Sequence, residues 1–276
     1  MSNIPPNAWK FFAALSAFQE NYAVIGGTAT VFHLEDRNAQ SQRATIDLDM
    51  AILEVTTAPN QNGVWSALRE FFTANNYQSQ CLQSGKNQSF RFKAPESRRD
   101  LPSVIEIFSE EIVPNSESWV HRIPDAELSA IVLPKAAIQL IAQHKITREI
   151  LGKPVSFASL SSLIILKAIA CDNLLQHPNP IEKAKHRKHI SDMIRLAHTL
   201  REGDELAVQP EIWPFLEKLI KIPEAYFLPQ RIRDSLWADN PDINTRRAIK
   251  AYTPETFADI LRTYFKMSQQ PADQLT

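Results

Sequence analysis

The chain has 276 residues, of which 44% are hydrophobic and 22% charged, the balance of a water-soluble globular protein able to bury a sizeable core. A formal net charge of −1 excludes a generally basic nucleic-acid coat, so any contact with nucleic acid has to come from a local patch. No run of about eighteen apolar residues and no basic-then-apolar leader are present, and the two cysteines, Cys81 and Cys171, lack metal-type spacing. The expectation is a cytoplasmic protein with reduced, structural thiols.

In chain order, Asn7 is placed to cap a helix that carries Trp9, Phe12 and Leu15 and runs to Asn21. Tyr22 to Ile25 reads as a short strand. Gly26-Gly27 then lets the backbone turn with no Cβ in the way, and a helix beginning at Thr28 would aim its free N–H groups at an anion. After a polar stretch, Ile46, Leu48, Met50 and Ile52 alternate with Asp47, Asp49 and Ala51, the period of a strand with one apolar face. Two carboxylates on the other face, roughly 6.5–7 Å apart, suit one divalent cation or a pair of them.

Thr56 to Gly63 breaks the chain, and Val64, Trp65, Leu68, Phe71 and Phe72 mark an amphipathic helix. Tyr77 to Leu82 and Ser89 to Lys93 read as a hairpin. Ser103 to Phe108 is a short strand whose one acid, Glu106, needs a partner, a metal or an edge position facing water. Residues 112 to 126 read as a loop, while Leu128 to Leu133 and Ile138 to Phe157 fit strand or helix equally, with a turn at Gly152. From Ser159 the texture is helical: Leu160 to Asn173, Ile181 to Leu200, Ile212 to Ile220, a piece near Pro229 to Trp237, and Pro254 to Met267.

Lys167 falls on the apolar stripe of the first of these helices, where an amine either snorkels to water or meets an anion. In the next helix, Lys185, Lys188, Asp192 and Arg195 are spaced along one polar edge, which predicts a Lys188–Asp192 pair beside a basic run suited to phosphates. The plain alternative is a solvated charged face.

Taken together, Gly26-Gly27-Thr28-Ala29, Arg43-x-Thr45-x-Asp47-Leu-Asp49, the lone Glu106, Lys167, and Lys188 with Asp192 resemble the nucleotidyltransferase (polymerase-β-like) superfamily. More narrowly they are similar to the AbiEii-type nucleotidyltransferase toxins of abortive-infection systems, over roughly residues 20 to 200. The resemblance implies a nucleotidyltransferase-like α/β (α+β) domain, with a mixed sheet and flanking helices over residues 1–158, and a helical part over 159–276. It implies Mg2+ held by Asp47, Asp49 and Glu106, with Glu106 activating the attacking hydroxyl. It also implies a nucleoside triphosphate held by Gly26, Gly27, Thr28, Arg43, Thr45, Lys188 and Asp192, and phosphate binding by Lys167. Where this family carries Lys-Asp, the chain has Lys188-His189.

The implied reaction moves a nucleoside monophosphate from a triphosphate to an acceptor hydroxyl. The acceptor is open between the 3′ end of tRNA, another RNA, a protein side chain and a small molecule; the basic run favours RNA, and the toxin resemblance adds an antitoxin partner. A catalytically silent nucleotide-binding module is the alternative of a different class.

Overall fold

A computed structural model describes residues 8–39, 47–53, 63–81, 87–110, 120–123, 128–220 and 254–267. The chain divides into two units, residues 1–35 with 43–163, and residues 36–42 with 164–276.

The first unit is built on a nine-stranded mixed sheet. Tyr22–Ile25 forms β1, buried at all four positions, and Gly26–Asp36 forms α2 with no loop between them. β2 (Asp47–Ile52) runs antiparallel to β1 on one side and parallel to β5 (Val104–Glu110) on the other. Beyond β5 come β4 (Asn87–Lys93) and β3 (Gln78–Cys81), the predicted hairpin, while the far side of β1 is extended by β9 (Lys153–Phe157) and β8 (Ile146–Ile150). Strand β7 (Leu128–Leu133) pairs with the last three residues of β5, and β6 (Val120–Ile123) pairs with β7. Residues 112–126 therefore contain a strand where the sequence suggested only loop.

A central β2 explains why Ala51 is buried as well as Leu48, Met50 and Ile52, whereas Asp47 and Asp49 at its start are half-buried. The simple two-faced alternation holds only where no second layer covers the strand.

Helix α3 (Val64–Ala74) buries Trp65, Leu68, Phe71 and Phe72. Phe71 meets Phe11 of α1 (Trp9–Ala14) edge-on at 5.1 Å, and Phe72 stacks on Phe92 of β4 at 4.0 Å. Aromatic pairs of this kind fix the register of helix on sheet as well as burying area. The predicted first helix is shorter than expected. It ends at Ala14, gives way to a 3₁₀ turn over Ser16–Phe18, and starts at Ala8 without a side-chain cap; Asn7 lies outside the described residues. The ambiguous stretch resolves into α4 (Lys135–His144), β8 and β9, joined at Leu151-Gly152 with both residues at positive φ.

The second unit is helical. It takes most of α5 (Leu160–Leu175), then α6 (Pro180–Ala184), α7 (His186–Ala197), α8 (Trp213–Ile220) and α9 (Pro254–Tyr264). The predicted Ile181–Leu200 helix is broken at Lys185, because Asn179 caps α6 through Ile181 N–H and His186 turns inward to bond the Lys183 carbonyl. Pro254 to Met267 ends as a strand: Phe265–Met267 (β11) pairs in parallel with Leu206–Val208 (β10). The piece near Pro229 to Trp237 lies outside the described residues. Cys171 is a free, buried thiol that burial pushes up to about 12, which suits the structural role expected of it.

Candidate active site

The acids meet because of strand order. Parallel pairing of β2 with β5 sets Asp49 directly beside Glu106, and antiparallel pairing of β5 with β4 sets Glu106 beside Arg91. In-register neighbours point to the same face, so Asp49, Glu106 and Arg91 form one row across three strands. Asp47 lies two residues back along β2 on that face, in the row of Val104 and Lys93. Neighbouring strands lie about 4.8 Å apart, so three carboxylates share a small patch of sheet.

Gly26 abuts this patch. Ile25 pairs with Asp49, and the next residue, Gly26, has φ +64°. A Cβ at Gly26 would lie 1.7 Å from Asp49 Oδ2 and 2.6 Å from its Cγ, so glycine is demanded both by backbone conformation and by the carboxylate resting against it. Thr28 is fully buried, and its hydroxyl donates to the Asp47 carbonyl at 3.0 Å. The side chain expected to hold phosphate instead ties the start of α2 to the acidic strand, leaving its N–H as the group a ligand could use. Thr30 donates to the Gly26 carbonyl at 2.7 Å and stiffens the same turn. The first N–H groups of α2 have no partner within the helix, and the positive end of its dipole lies beside the acids.

Glu106 is neither at an edge nor without a partner. It lies on an interior strand, its side chain 19% exposed, and its Oε1 accepts from Arg91 Nη1 at 2.8 Å. Arg91 is the functional-site residue that the sequence reading passed over. The signal was present in Phe90-Arg91-Phe92-Lys93, whose alternation puts both aromatics in the core and both cations on the acidic face.

Lys167 and Asp192 form a second cluster, within the helical unit. Lys167 Nζ donates to Asp192 Oδ2 at 2.7 Å, with the two side chains 6% and 7% exposed. Snorkelling is closed to this lysine because α5 is apolar all round: Leu163, Ile164, Ile165, Ala168 and Cys171 are all buried. The predicted Lys188–Asp192 edge is thus corrected. Asp192 faces inward to Lys167, while Lys188 is exposed and Lys185 pairs with Glu182 at 2.6 Å. Arg43 and Thr45 lie outside the described residues.

Hard carboxylate oxygens on adjacent strands, beside a glycine turn with no Cβ, fit a Mg2+ ion that keeps several waters and takes its remaining ligands from phosphates. Among the described residues no three or more His, Cys, Asp or Glu side chains are grouped so that they could hold a metal ion by themselves. The fit is that of a shared protein–nucleotide site rather than a structural one. We expect Gly26→Ala to displace the Asp49 carboxylate and abolish metal–nucleotide binding. The melting temperature should fall by only the few degrees that about 1 kcal/mol of left-handed backbone strain represents. Calorimetric titration and thermal melting check the two halves, and unaltered binding would remove Gly26 from the site.

No family model matches the sequence, and no curated protein matches it. Among solved structures, the chain is similar to an antigenic nucleotidyltransferase-like protein from Paracoccidioides brasiliensis. That likeness has 14% identity and a TM-score of 0.45, over 80% of this chain and 89% of that one. It is also similar to the antibiotic-resistance factor ANT(2'')-Ia, with 14% identity and a TM-score of 0.38, over 76% and 86% of the two chains. Likenesses this remote assign no role to any residue.

Proposed function

We propose that this chain is a magnesium-dependent nucleotidyltransferase that moves a nucleoside monophosphate from a nucleoside triphosphate to an acceptor hydroxyl, releasing pyrophosphate. The observation that carries the proposal is the junction of β1, α2 and β2: a positive-φ glycine at a helix start, in contact with an aspartate that is in register with a glutamate. Anion-binding N–H groups and cation-binding carboxylates thereby occupy one place, as a metal–triphosphate complex requires.

In this reading Asp47, Asp49 and Glu106 hold Mg2+, which when bound polarises phosphoryl oxygens and stabilises the attacking and leaving oxygens. The N–H groups of Gly26, Gly27 and Thr28 donate to the triphosphate, and the rigid turn behind them keeps the α-phosphorus in line with the acceptor. Glu106 takes the proton of the acceptor hydroxyl as the P–O bond forms. Lys167 and Asp192 enter through the family resemblance, which makes them phosphate- and nucleotide-site groups. The experiment is a thermal-melting series. Magnesium alone should change little, whereas magnesium with a nucleoside triphosphate should raise the melting temperature by several degrees, about 2.7 kcal/mol at a hundredfold excess over Kd. No shift at millimolar concentration would sink the nucleotide-binding reading.

For the acceptor we favour RNA, on the observation that Lys183, Lys185 and Arg187, along α6 and into α7, are all exposed. Changing the three to Ala should weaken RNA binding and reduce its salt slope by roughly one unit or less per contact, while nucleotide affinity stays put. Binding measured across a salt series decides; an unaltered slope favours a protein or small-molecule acceptor.

A further inference from the structure

We infer that Arg91 is a positioning residue that holds Glu106 away from the Asp47 and Asp49 carboxylates until a divalent cation arrives. The inference rests on the metal-dependent reading of the acidic face. Arg91 stands on the opposite side of Glu106 from Asp49, since β5 lies between β2 and β4. A 2.8 Å bond to Arg91 Nη1 therefore draws the glutamate toward β4, and the like charge on Asp49 pushes it the same way. Arg91 Nε is buried and finds no acceptor among the described residues, so this edge of the guanidinium takes no part in gripping the carboxylate.

The backbone of this stretch is pinned, because Phe90 and Phe92 on either side of Arg91 are buried and Phe92 stacks on Phe72. The Arg91 side chain as a whole is 38% exposed, with Nε on its buried side. Its outer nitrogens can thus move without moving the strand. The guanidinium holds Glu106 in place, and a divalent cation between the strands competes with it for the same carboxylate. Release of Glu106 from Arg91 then accompanies metal binding.

The test is Mn2+ binding without nucleotide, followed by calorimetry or by the manganese spin signal. Arg91→Gln should tighten Mn2+ about tenfold, since the metal no longer has to take the carboxylate from a charge-assisted hydrogen bond. Arg91→Lys, which keeps a cation within reach of Glu106, should bind like the wild type. Arg91→Gln combined with Glu106→Gln should lose the gain, because the gain comes from the freed carboxylate rather than from removal of a positive charge. Arg91→Thr, a β-favouring residue, gives the same comparison if the Gln variant fails to fold. A wild-type Kd in folded Arg91→Gln or Arg91→Thr, or a gain that survives Glu106→Gln, overturns the role of Arg91 and leaves the metal site standing. If no variant binds Mn2+ even with a nucleoside triphosphate, the metal reading falls and the inference with it.

Discussion

Asp49→Ala and Asp47→Ala should each reduce nucleotidyl transfer by about a thousandfold or more, while melting at or above the wild-type temperature. The first half follows from the role proposed for these carboxylates, holding a metal worth several kcal/mol of charge stabilisation in the transition state, at about 1.36 kcal/mol per factor of ten. The second follows from crowding. Asp49 is in register with Glu106, and Asp47 is two residues away on the same face, so three negative charges share one patch of sheet. Removing either aspartate relieves repulsion. Asp49→Ala also clears the space against Gly26, so the glycine turn meets no new clash. Transfer of label from each nucleoside triphosphate to cellular RNA measures activity, and scanning calorimetry measures stability. A variant that keeps wild-type transfer takes its residue out of the site; one that melts far lower makes that residue structural.

The second large effect is expected in the helical unit. Lys167→Ala or Asp192→Ala should cost about 3–5 kcal/mol, because each leaves an unmatched charge almost wholly removed from water. Lys167→Met with Asp192→Leu should recover most of that loss, since an apolar pair of similar size needs no compensation for desolvation. Urea midpoints of the wild type, the two Ala variants and the Met–Leu protein make the comparison. A cost below about 1 kcal/mol in the single variants would mean the pair is solvated, as exposed ion pairs are. The result bears on function too. A Lys167 variant that loses activity and stability together has lost its helical unit, whereas loss of activity in the stable Met–Leu protein points to phosphate binding.

Local pattern carried much of this protein. Tyr22 to Ile25, Gly26-Gly27 and the Asp47-Leu48-Asp49 alternation were legible as strand, turn and strand, because a period of two and a glycine's freedom are properties of the segment itself. The hairpin of β3 and β4 and the amphipathic α3 were legible for the same reason. The spacing after Ser159 was likewise legible as helical, whereas the expectation of a mixed sheet over residues 1–158 came from the family resemblance. Tertiary structure decided what stands next to what. Whether Glu106 faced water, a metal or a partner depended on β5 lying between β2 and β4, an order that needs β2 and β5 to pair across 57 residues of sequence, which no local period encodes. Arg91 gained its place only through that order. Asp192 pairs with Lys167 rather than Lys188 because Lys167 is itself buried, among Leu163, Ile164, Ala168 and Cys171 of α5, and has no route to water. A buried charge takes the nearest opposite charge the packing supplies, and which one that is depends on how the helices meet.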